Sequence, residues 1–200
     1  MRARFFLLLP LFVCTSYCDQ KYTFIGVTQG DYSTSIWILE DVGGECGYTD
    51  LQEVVIDTAG AHRVEHSSSL DSTAMRTFLK TVLVPVESAK FTRDPRGVFS
   101  NGKITVSAPP RDTAIENEFY RLGPSAWEWN TGKGIKGMVL PECTGAQADL
   151  VYASPRGFYS GYQIAGVWYV EQEKLLIVFT HHPSRGNGMD TMHGYLVLKV

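Results

Sequence analysis

The sequence is short of the features that most directly announce a function. No stretch of about 20 consecutive apolar residues, the length a helix needs to cross a bilayer, occurs anywhere in its 200 residues, so no membrane span is expected in the mature chain. Lysine and arginine are not clustered, and 18 basic residues stand against 21 acidic ones for a formal net charge of −3. That removes the electrostatic basis for nucleic-acid binding through a basic face. N-x-S/T is absent, so the usual N-glycan is not expected. G-x-S-x-G is missing, and with it the nucleophile elbow of many serine hydrolases. H-E-x-x-H is missing too, and with it the helix-borne zinc site. No low-complexity block or Ser/Thr/Pro-rich linker divides the chain, which makes one domain the economical reading.

What is present begins with a leader. In MRARFFLLLPLFVCTSYCDQ, Arg2 and Arg4 precede an apolar run from position 5 to 13, and Ser16 and Cys18 follow. This is the layout of a cleaved signal peptide. Residues 1–18 are therefore expected to leave, and 19–200 to form one secreted or periplasmic domain. Cleavage after Cys18 retains Cys46 and Cys143 of the four cysteines. In an oxidising compartment these two are expected to form a disulfide. Closing so long a loop contributes about 4 kcal/mol in the chain-entropy picture.

The remainder reads as mainly β, a sandwich or barrel-like fold with one amphipathic helix near residues 71–84. Aromatic and β-branched runs at 22–28 (YTFIGVT), 34–39 (TSIWIL) and 51–56 (LQEVVI) are strands. Gly30, Asp31 and Ser33 turn the chain between the first two. Met75, Phe78, Leu79 and Val82 recur at helical spacing, and Pro85 stops the helix. Further strands are expected at 103–107, 149–153, 162–170, 175–180 and 195–200. GVWYV–EQEK–LLIVFT is the clearest hairpin. Strand–loop–strand units recur loosely along the chain, so a small propeller-like arrangement is the alternative architecture.

Two kinds of candidate site follow. Trp127 and Trp129 flank Glu128, and their aromatic faces suit stacking on a small molecule, a glycan or a protein outside the cell. The loop THHPSRGNGMDTMHG concentrates His181, His182, Asp190 and His193. As a catalytic group, His182 or His193 would act as base with Asp190 or Asp57 orienting it. As a metal site, His62, His66, His182 and His193 would hold a divalent ion such as zinc. Adjacent His181 and His182 point to opposite faces of a strand, so one of them joins His193. The spacing matches no established zinc motif, and the favoured expectation is that there is no cofactor.

Glu171 and Glu173, in EQE, resemble the paired glutamates of ADP-ribosyltransferases, and Ser33-Thr34-Ser35 resembles their STS element. Those enzymes need an arginine on a strand before STS, which the mature chain lacks, and the interval to EQE is too long; 171–174 reads instead as a charged hairpin turn. A cysteine nucleophile competes with the disulfide. With each catalytic constellation failing a specific requirement, the leading expectation is a secreted, non-enzymatic binding or interaction domain. The runner-up is a hydrolase built on the late histidines.

Overall fold

The computed structural model describes residues 20–42, 48–66, 88–114, 139–154, 161–182 and 192–200. Its strands are β1 (Gln20–Gln29), β2 (Thr34–Val42), β3 (Tyr48–Asp57), β4 (Gly60–His66), β5 (Ser88–Lys90), β6 (Thr92–Arg93), β7 (Phe99–Ser100), β8 (Thr105–Ser107), β9 (Glu142–Thr144), β10 (Asp149–Ala153), β11 (Gln163–Val170), β12 (Leu175–His182) and β13 (Met192–Lys199). They form three antiparallel sheets in the orders β1-β2-β3-β4, β10-β13-β12-β11-β5 and β6-β7-β8-β9. The expectation of a mostly β chain is met. The signal segment, the expected helix over 71–84, Trp127, Trp129 and Asp190 lie outside the described residues.

Local chemistry accounts for the connections. Gly30 N–H donates to the Ser33 carbonyl at 2.8 Å, closing the β1–β2 hairpin. Asp57 Oδ1 accepts from Ala59 N–H at 2.7 Å and Gly60 N–H at 3.1 Å, an Asx turn that closes β3–β4. The EQEK turn between β11 and β12 places Lys174 at φ 51°, and Lys174 N–H returns to the Glu171 carbonyl at 3.2 Å.

The five-stranded sheet is buried on both faces, and its sequence explains why. Residues 175–180 are all buried, and side chains of a strand alternate between faces. Leu175, Ile177, Phe179, Tyr195 and Val197 share a core with Val27, Ile36, Ile38 and Val54 of the first sheet. Leu176, Val178, Leu196 and Leu198 share another with Phe91, Phe99, Ile104 and Val106 around the third. A strand with two covered faces needs an uninterrupted apolar run, and LLIVF is one. Each such side chain contributes roughly 1.5–3 kcal/mol by burial, as an upper figure.

Strand β1 joins this core only through an irregularity. Its register to β2 shifts between Phe24 and Gly26, so Ile25 is extra. Tyr22 and Phe24 precede the bulge and pack on the inner core, and Val27 follows it and is fully buried there. Ile25 joins Trp37, Leu39 and Leu51 on the other face. A bulge of this kind reverses the alternation of all later residues.

The expected Cys46–Cys143 disulfide is corrected by the structure. Cys143 carries a free thiol. It sits on β9 opposite Val106 and packs against the core between the second and third sheets. Burial pushes its pKa up. The side chain is thus committed to apolar packing, and Cys46 lies outside the described residues.

Candidate functional site

A cleft of about 570 Å³ opens where β1 passes the end of the five-stranded sheet. Its aromatic walls are Tyr22 of β1, Trp168 of β11 and Phe179 of β12, with Lys21 and His193 also in the lining. Two glycines within strands, Gly166 and Gly194, are part of the lining. A Cβ at Gly166 would lie 2.5 Å from Trp168 Cζ3, so the indole lies directly over that backbone. A bulge sits at the same place, between Ile164 and Gly166 in the β11 register, and Ala165 lines the cleft.

The walls are held from behind by aromatic packing. Trp168 meets Phe179 edge-on, with centroids 5.1 Å apart at 85°, and Phe24 at 6.1 Å. Tyr22 meets Tyr195 edge-on at 5.2 Å and 75°. Tyr195 in turn is fixed by a buried polar chain. Its hydroxyl donates to Gln52 Oε1 at 2.8 Å, and Gln52 Nε2 donates to Glu40 Oε2. All three residues are buried, Gln52 at 2% exposure and Glu40 at 6%. Burial pushes the Tyr195 pKa well up, the nearby Tyr152 and Tyr22 push the same way, and Arg63 opposes them. The phenol therefore acts as a neutral donor.

Thr180 also borders the cleft, but its side chain alternates with Phe179 onto the opposite face of β12, where its hydroxyl is buried without a hydrogen-bond partner. Unpartnered buried polar atoms are uncommon in native structures and call for an explanation.

The late histidines are partly brought together. His181 lies opposite His193 in the β12–β13 register, and the rings stack with centroids 5.8 Å apart at 22°. Burial, seconded by the charge of Arg93, lowers the His181 pKa. His182 pairs with Met192 through the backbone register. His62 lies opposite Val55, while the neighbouring pair, Val54 and Arg63, faces the inner core side. His62 is accordingly on the outer face of the first sheet, and exposed, so it does not meet His193. His66 pairs with Leu51 in the same register. Among the described residues no three His, Cys, Asp or Glu side chains gather closely enough to hold a metal ion.

The EQE turn and the STS run meet, but in a different role. Glu173 accepts from Thr34 Oγ1 at 3.1 Å and from Gln29 Nε2, tying the β11–β12 tip to the start of β2 and the end of β1. A shallower depression of about 360 Å³ lies among these tips, beside Asp31, Asp57 and the 86%-exposed Tyr32. Asp57 there is occupied by its own turn.

Sequence reasoning picked out His193 but missed Tyr22, Gly166, Trp168, Phe179, Thr180 and Gly194. The available signal was a single glycine inside each of two otherwise apolar strands, IAGVWYV and HGYLVL. No family model, curated protein or solved structure matches the chain.

Proposed function

We propose that this chain is an exported, non-enzymatic binding domain whose ligand, a small molecule, sits in the cleft between β1 and the five-stranded sheet. The observation that carries the reading is the cleft's composition: aromatic residues fixed by their packing, Trp168 seated on the Gly166 backbone, and Lys21 and His193 as polar groups in the lining. Concave, mostly apolar sites with a few convergent polar groups are the usual form of small-molecule pockets. Export rests on the leader 1–18, and N-terminal sequencing of the secreted product, expected to begin at Asp19, tests it. In architecture, the two cores on either face of the central sheet favour the sandwich-type reading over a closed barrel.

A ligand-observed NMR screen of small aromatic molecules tests the binding role. Binders to the wild type should be lost in Trp168→Ala with the fold retained by circular dichroism. An absence of binders, or binding indifferent to Trp168→Ala, would refute it. One observation favours a hydrolase as second reading, the stacked His181–His193 pair. That reading requires ester or amide turnover lost in His193→Ala, whereas the binding reading requires none.

A further inference from the structure

We infer that the cleft takes a flat apolar molecule carrying an anionic group, of the class of aromatic carboxylic acids. The inference rests on the proposed binding reading and goes further by fixing the chemistry of the ligand. Shape comes from the walls. Trp168 is wedged between Phe179, Phe24 and the Gly166 backbone, so it presents a fixed face. Tyr22, held edge-on by Tyr195, is a further aromatic side chain in the lining. Aromatic faces in such an arrangement favour a planar ring, by offset or edge contacts.

Charge comes from the lining as a whole. Among the described residues it contains one ammonium, Lys21, one imidazole, His193, and no carboxylate, in a chain where acidic residues outnumber basic ones. Lys21 makes no ion pair among the described residues, although Asp41 lies opposite it in the β1–β2 register. β1 is an edge strand, paired only with β2, so half of its main-chain groups point away from the sheet where residues 21–23 line the cleft. A carboxylate beside an ammonium and such donors forms charge-assisted hydrogen bonds, which are about twice as strong as neutral ones. A neutral isostere lacks that gain.

The test is a calorimetric titration of the mature chain at pH 7 with 2-naphthoate and with its neutral isostere 2-naphthalenemethanol. Wild type, Lys21→Gln and Gly166→Ala are compared. Lys21 is exposed, so Lys21→Gln leaves the fold intact, and Gly166→Ala pushes the Trp168 ring into the cleft. The expected result is 2-naphthoate binding at least about fivefold tighter than the alcohol, a difference of about 1 kcal/mol. Lys21→Gln should bring the two within about twofold, and Gly166→Ala should weaken both. Equal affinity of the two ligands, both weakened by Gly166→Ala, would overturn the anionic class and leave the cleft as the binding site. No binding of either up to about 5 mM, or binding insensitive to Gly166→Ala, would overturn the cleft itself.

Discussion

Replacing Tyr195 by Phe removes one oxygen from the middle of the inner core and nothing else. In the wild type that hydroxyl donates to Gln52 Oε1 at 2.8 Å and takes part in a further hydrogen bond with Tyr152. Gln52 is 2% exposed and its amide nitrogen is already committed to Glu40. The variant therefore leaves a carbonyl oxygen buried without its donor, and water has no ready path to it. Stranding a buried acceptor costs about 1–3 kcal/mol, against a net gain of about 1 kcal/mol for an ordinary hydrogen bond. The ring is retained, so its contacts with Tyr22, Tyr152 and Phe179 persist and no cavity opens. Urea unfolding of the mature chain should thus show a loss of about 2 kcal/mol with unchanged m, and thermal unfolding a drop of about 4–8 °C. Gln52→Leu should cost more, because it takes an amide donor from the buried Glu40 carboxylate. In the Gln52→Leu background Tyr195→Phe should cost less, about 1 kcal/mol, since the Gln52 acceptor is no longer there to strand and only the hydrogen bond with Tyr152 is lost. Equal losses on both backgrounds would show that the chain is not energetically coupled and would refute the reasoning.

Gly145 adopts φ +89°, and a Cβ there would lie 2.1 Å from the Lys103 carbonyl oxygen. Gly145→Ala should therefore destabilise by about 2–5 kcal/mol, combining left-handed strain with a backbone clash. Gly102, at φ +88° with open space around it, should lose only about 1 kcal/mol on the same change; paired denaturant melts compare them. His181 is held below its ordinary pKa of 6.5 by burial, so the unfolded chain binds the extra proton first. Its contribution to stability should be constant above about pH 6.5 and fall as pH drops toward the lowered folded value. His181→Phe should flatten that part of the stability–pH profile. Cys143, half-buried with a raised pKa, should react with iodoacetamide at pH 7.5 far more slowly than after denaturation, as peptide mass spectrometry will read.

The strands were legible because their chemistry is local. Aromatic and β-branched runs and turn residues marked β1, β2, β3, β8, β10, β11, β12 and β13, and EQEK marked the hairpin turn. Layering was legible in principle from the continuous run in β12, since a strand with one wet face does not carry LLIVF. The short strands β5, β6, β7 and β9 carry too few residues for a period to show. At β1 the bulge breaks the alternation, so FIGV gives no clear inner face in the sequence alone. Cysteine count misled because pairing depends on where the third sheet places Cys143, and that sheet packs it into a core. The cleft was illegible for a related reason: Lys21, Trp168, Phe179 and His193 lie on four strands whose order in space, β1 beside β13-β12-β11, sequence does not reveal. Only Gly166 and Gly194 carried a local trace of it. The choice between His181 and His182 as the companion of His193 likewise depended on the register of β12 against β13.

The central claim is that the cleft beside β1 is the ligand site. Backbone amide chemical-shift mapping of the isotopically labelled mature chain during titration with 2-naphthoate tests it most directly. The account predicts that the largest shifts fall together on Tyr22, Thr23, Gly166, Trp168, Thr180 and Gly194. Shifts concentrated instead on the hairpin tips around Tyr32, Thr58 and Glu173, or none at saturating ligand, would contradict it.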